Sequence, residues 1–97
     1  MSSKENVLSI LRKNLPYLKK EFRIKTIGIF GSYSLDEFSK DSDIDIIVEF
    51  SKSPGIVQFM KLREYLGSVF GKRIDLVTKQ ALKPELKTNI LLETSYA

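Results

Sequence analysis

Three aspartates stand where aspartate is uncommon. Asp43 and Asp45 fall in Asp-Ile-Asp-Ile-Ile-Val-Glu-Phe, residues 43–50, and Asp75 falls in Arg-Ile-Asp-Leu-Val-Thr, residues 73–78. Both stretches are rich in β-branched and apolar residues and read as strands. Aspartate is depleted in strands and seldom buried without a partner. Side chains alternate between faces, so Asp43 and Asp45 share one face and Ile44 and Ile46 take the other, towards a core. Two carboxylates on one face repel unless a cation lies between them. A strand with one solvated face would also carry such a pair, but Ile47, Val48 and Glu49 make its second half apolar on both faces. That pattern suits a covered strand whose acidic end lies at an opening. Asp75, between Ile74 and Leu76, repeats the pattern, although an ion pair with Arg73 or Lys72 also accounts for it.

The chain contains no cysteine and no histidine. This excludes disulfides, thiolate zinc sites, cysteine nucleophiles and any imidazole base or ligand. A metal would have to sit on carboxylate and carbonyl oxygens, which favours a hard cation such as Mg²⁺, with Mn²⁺ as the alternative. Gly31-Ser32 closes another strand-like run, Lys-Thr-Ile-Gly-Ile-Phe, residues 25–30. Glycine lets a backbone approach a ligand closely, and N–H groups at a helix start attract phosphate. Taken alone, the pair is an ordinary strand-to-helix turn with a serine cap.

The elements that must position these residues emerge from periodicity. Val7, Leu8, Leu11, Leu15 and Leu18 recur at helical spacing, opened by a capping box of Ser2 and Glu5. Pro16 removes a helical hydrogen bond, so a break is expected: one helix to about Asn14, then a short one with Pro16 in its first turn. Residues 33–42 read as a helical turn and a loop, residues 51–55 as a turn, and residues 56–70 as a helix stopped by Gly71. A last helix begins at Pro84. The expected order, α-α-β-turn-β-α-β-α, implies an α/β (α+β) domain with a small three-stranded mixed sheet flanked by helices.

The 97 residues suit one domain, and the 42% apolar and 29% charged content is that of a globular protein. No apolar run is long enough to span a bilayer, and the polar N-terminus lacks a signal-peptide core, so a cytoplasmic protein is expected. The net charge of +4 is spread among scattered lysines, which reads as a solvated surface rather than a dedicated nucleic-acid patch; it would still suit a phosphate-bearing ligand. Phe59, Leu62, Leu66 and Phe70 on the long helix serve a core, with a homodimer or partner surface as the other use.

Gly31-Ser32, ten intervening residues and Asp43-Ile44-Asp45 together form a Gly-Ser-x10-Asp-x-Asp pattern. On this pattern, and on the segments IGIFGSYS, DSDIDIIVEF, GKRIDLVTKQALKP and LLETSYA, the chain resembles the minimal nucleotidyltransferases of the DNA polymerase β superfamily. These are small proteins often paired with HEPN-domain toxins. The resemblance implies the nucleotidyltransferase fold and transfer of AMP from ATP to a hydroxyl, a tyrosine of the toxin, which silences it. It implies that Gly31 and Ser32 contact the triphosphate. It assigns Asp43, Asp45 and Asp75 to two divalent metal ions, with Asp75 also placed to accept the proton of the attacking hydroxyl. Two such ions ~3.5–4 Å apart supply the charge neutralisation that phosphoryl-type transfer needs. One position departs: many members carry Arg-Gly where this chain has Leu35-Asp36. Loss of that guanidinium opens a second reading, a degenerate domain that neutralises its partner by binding alone; Lys40 is a candidate compensating cation.

Overall fold

A computed structural model describes residues 3–35 and 42–97. The chain runs α1 (Ser3–Phe22), β1 (Ile24–Phe30), α2 (Gly31–Ser34), β2 (Ile44–Phe50), α3 (Ile56–Phe70), β3 (Ile74–Thr78), a 3-10 turn (Lys79–Ala81), α4 (Pro84–Glu93) and β4 (Ser95–Tyr96). Among the described residues the strands form one mixed sheet in the order β3-β2-β1-β4. β1 runs antiparallel to both β2 and β4, whereas β2 and β3 are parallel, joined by α3 as the crossover. The α+β class and the mixed sheet are as expected; the fourth strand is an addition. No described helix is long and apolar enough to cross a membrane.

One face of the sheet builds the core. Ile27 and Ile29 of β1, Ile44, Ile46 and Val48 of β2, and Ile74 and Leu76 of β3 are buried against Val7, Leu8, Leu11, Leu18 and Phe22 of α1 and Leu62 and Leu66 of α3. Burying each such side chain contributes roughly 1.5–3 kcal/mol. Phe59 and Phe70 pack on the rim of this core, so α3 spends most of its apolar face within the domain. Ile56 and Val57 at its start remain exposed.

The break expected at Pro16 does not occur: α1 is continuous through it. Pro16 and Arg12, whose carbonyl would otherwise accept a bond from position 16, are both exposed. The lost bond therefore falls on the water side. Leu11 before it and Leu18 and Phe22 after it all reach the same core. Their burial outweighs a proline cost of about 3 kcal/mol. A side-chain relay also steadies this stretch: Tyr65 Oη donates to Asn14 Oδ1 (2.6 Å), and Asn14 Nδ2 donates to the Ile10 carbonyl (2.8 Å). The capping residue Ser2, and also Asp36 and Lys40, lie outside the described residues.

The unexpected strand closes the far edge. Gly28 pairs with Tyr96 and Ile29 with Ser95, and the Ala97 N–H donates to the Ile27 carbonyl (2.9 Å). This approach requires glycine at position 28. A Cβ there would lie 2.8 Å from the Ser95 carbonyl oxygen and 3.2 Å from the Tyr96 Cα. Because the backbone, with the Thr94 side chain at 2.9 Å, is in the way, Gly28→Ala is expected to destabilise the fold by about 1–3 kcal/mol and to free β4. Thermal melts together with hydrogen exchange at the Ala97 amide check this; an unchanged melt with full protection would contradict it.

Candidate active site

β1 ends at Phe30, which pairs across the ladder with Asp45. The chain then turns into α2 through Gly31, at φ 67. That conformation is strained for any residue with a Cβ. A second constraint acts at the same place: a Cβ on Gly31 would collide with the Asp45 carboxylate. The Gly31 backbone therefore lies directly against Asp45, and Ser32 comes next on the first turn of α2.

Asp45 has a second carboxylate on its other side. The parallel ladder pairs Ile44 with Ile74, Asp45 with Asp75, and Ile46 with Leu76. The two aspartates are thus side by side on the face opposite the core. Asp45 is half-buried and Asp75 exposed. Burial pushes the Asp45 carboxyl up to about 6, with further contributions from the charge of Asp75, a hydrogen bond between the two side chains and the charge of Asp43. Asp43 precedes β2 rather than opening it, and is exposed. The sequence expectation that put Asp43 inside the strand is corrected by one residue. Ile44, whose N–H donates to the Arg73 carbonyl (3.1 Å), is the first residue held in the ladder.

The five residues singled out from the sequence therefore gather at one end of β1, β2 and β3. Asp45, Asp75 and Gly31 are in immediate proximity, and Asp43 acts on Asp45 through its charge. Among the described residues no three acidic side chains already stand close enough to hold an ion. The donor set nevertheless fits a hard divalent cation. It is all oxygen, and the like charges raising Asp45 are what a cation would offset.

Beside the aspartates an open cleft of about 540 Å³ is lined by Asp43 and Asp75 together with Arg63, Glu64, Lys72 and Arg73. Sequence reasoning missed what steadies α2. Ser34 is buried, donates its hydroxyl to the Glu93 carbonyl and lies 3.1 Å from the Ser95 hydroxyl. The C-terminal segment thereby anchors the turn bearing Gly31 and Ser32. Nothing local in the sequence marks Ser34 for this; its partners are about 60 residues away.

A strand–glycine–helix turn facing carboxylates on two parallel strands defines the nucleotidyltransferase class. The chain belongs to that family: residues 11–97 match the nucleotidyltransferase domain model. It is 40% identical over 96 residues to the protein adenylyltransferase MntA of Thermococcus cleftensis, covering 99% of this chain and 97% of that protein. Among solved structures it is similar to one described as a minimal nucleotidyltransferase, with a TM-score of 0.80 and 26% identity over 98% of this chain and 95% of that one. It is also similar to a chain of a toxin–antitoxin complex with AMP-PNP (TM-score 0.70, 25% identity, 96% of this chain and 70% of that one). The fold is shared with a chain from the complex of the tri-AMPylated Shewanella oneidensis HEPN toxin with its MNT antitoxin (TM-score 0.61, 23% identity, 97% and 67%).

The raised Asp45 carboxyl has a stability consequence whose sign is fixed. Between the ordinary carboxylate value of 3.8 and about 6 the folded state binds more protons than the unfolded state. Stability from this group is therefore full at low pH and is lost as pH rises through about 6. Asp45→Asn is expected to raise stability above that pH by about 1 kcal/mol, after allowance for solvent screening of a half-exposed group. The gain should shrink as pH falls towards 4. Melting curves of both proteins across this range, without divalent ions, check it; a gain that grows on acidification would overturn the assignment.

Proposed function

We propose that the whole chain acts as one protein adenylyltransferase unit, transferring AMP from ATP to a hydroxyl of a partner HEPN toxin, a tyrosine by family resemblance. The observation that carries this reading is the Asp45–Asp75 pair set against the backbone of Gly31. Its protein-directed activity is supported by the name of the Thermococcus relative, and its nucleotide by the AMP-PNP complex of a structural neighbour. The partner is supported by the toxin–antitoxin assemblies in which that neighbour and the Shewanella antitoxin are found.

In this reading Gly31 and Ser32 bind the triphosphate, the glycine allowing phosphate oxygens close to the backbone. Asp43, Asp45 and Asp75 would hold Mg²⁺ or Mn²⁺, which when bound supplies charge neutralisation and orientation of the phosphates. The acceptor oxygen forms a bond to the α-phosphorus as the bond to the bridging oxygen breaks. Pyrophosphate leaves with the bonding pair, and the acceptor proton passes to Asp75, the exposed carboxylate beside the open cleft. In this reading the acceptor hydroxyl comes from the partner protein.

One observation favours the alternative of neutralisation by binding alone. Leu35, which ends α2, is about half exposed and brings no charge to the turn. The two readings separate on mass spectrometry of the cognate toxin after incubation with the protein, ATP and Mg²⁺. We expect a mass gain of one or more AMP groups, reduced by several orders of magnitude with Asp43→Asn, as befits loss of a group that stabilises transition-state charge. A stable complex with no mass gain would overturn the enzymatic reading in favour of occlusion.

A further inference from the structure

Lys72 ends the turn between α3 and β3, three residues before Asp75. Its ammonium does not extend away from the domain. It lies 5.8 Å from the ring centroid of Tyr33, the residue next to Ser32 on α2. Tyr33 is itself buried at 4% exposure, so its ring is a fixed platform. Lys72 also lines the cleft that contains Asp43 and Asp75. These contacts form a closed circuit around the carboxylates. Gly31 presses on Asp45, Asp45 pairs with Asp75, β3 leads back to Lys72, and Lys72 returns to the turn through Tyr33.

We infer that Lys72 is a substrate-binding residue whose ammonium takes the β- and γ-phosphates of the nucleoside triphosphate. This assignment rests on the nucleotidyltransferase reading and adds a residue to it. The chemistry favours such a cation beside the metal ions. As the bond between the α-phosphorus and the bridging oxygen breaks, negative charge collects on the departing pyrophosphate. An ammonium is a compact, strongly hydrated point charge suited to phosphate oxygens. Among the described residues, the other cations of the cleft, Arg63 on α3 and Arg73 on the strand approach, make no such ring contact with the α2 turn.

The test is isothermal titration calorimetry of ATP and of AMP, each with Mg²⁺, against wild type, Lys72→Met, Lys72→Arg and Arg63→Met, with circular dichroism to confirm folding. Methionine keeps an unbranched apolar stem of similar length and removes the charge. Lys72→Met is expected to weaken ATP binding roughly tenfold or more, the effect of losing a hydrogen bond to a charged group. AMP, which lacks the outer phosphates, should change by less than about threefold, as should ATP with Arg63→Met, where only a screened surface charge is lost. Lys72→Arg should recover most of the ATP affinity. Equal ATP affinity in wild type and Lys72→Met would overturn the assignment, as would equal losses for ATP and AMP or an Arg63→Met loss as large. A wild-type protein that binds no ATP would instead overturn the nucleotidyltransferase reading itself.

Discussion

Two aspartates are forced together by the side chains that flank them. Ile44, Ile46, Ile74 and Leu76 are all buried on the core face. The parallel ladder seats Ile44 beside Ile74 and Ile46 beside Leu76. With a side-chain period of two, the residues between them must then face the other way, at the same level. A slip of one residue would relieve the carboxylates but would turn four apolar side chains out of the core. Each of those burials is worth roughly 1.5–3 kcal/mol, against about 1 kcal/mol for a half-exposed pair of like charges. The core therefore wins, and the electrostatic misfit persists at one locus of the folded protein.

The remainder of the structure brings a backbone to that locus and keeps it there. The antiparallel pairing of β1 with β2 ends at Phe30 and Asp45, so Gly31 is delivered against the carboxylate by register alone. The helix that Gly31 opens has only four residues, too few to be stable by itself. Tyr33 holds it from the core side and Ser34 from the C-terminal side. The last residues of the described chain thus act on the site without carrying its chemistry. β4 lies over Gly28, and the segment just before it receives the Ser34 hydroxyl.

Much of this was legible in sequence because the decisive signals are local. Three β-branched runs gave the central strands to within a residue, and aspartate within such runs marked the candidate site. The alternation that put Ile44 and Ile46 in a core is what the structure shows. What was not legible depends on partners distant in the chain. Pro16 forecasts a break from local bonding, but α1 is held on both sides of the proline by a sheet that local reading does not contain. Ser95-Tyr96 is too short to show a strand period, and its pairing depends on the absence of a Cβ at Gly28, more than 60 residues earlier. The adjacency of Asp45 and Asp75 needed the β2–β3 register, although each residue was suspect alone.

Charge around the site is divided between two kinds of element. Asp45 and Asp75 are on strands whose register is fixed by the core, and Lys72 is on a turn at the wall of the adjoining cleft. This division matters for a polyanionic substrate. A triphosphate approaching Asp45 and Asp75 without countercharge meets repulsion in a partly desolvated setting, where Coulomb terms are stronger than in bulk water. In the proposed reading it is drawn in where cations offset both partners: ions held by the carboxylates on one side, and the Lys72 ammonium on the other. The raised carboxyl at Asp45 belongs to the first half of that proposed arrangement, and the ammonium of Lys72 near the Tyr33 ring to the second. In that reading a nucleotide with its ions offsets the charge of both halves at once.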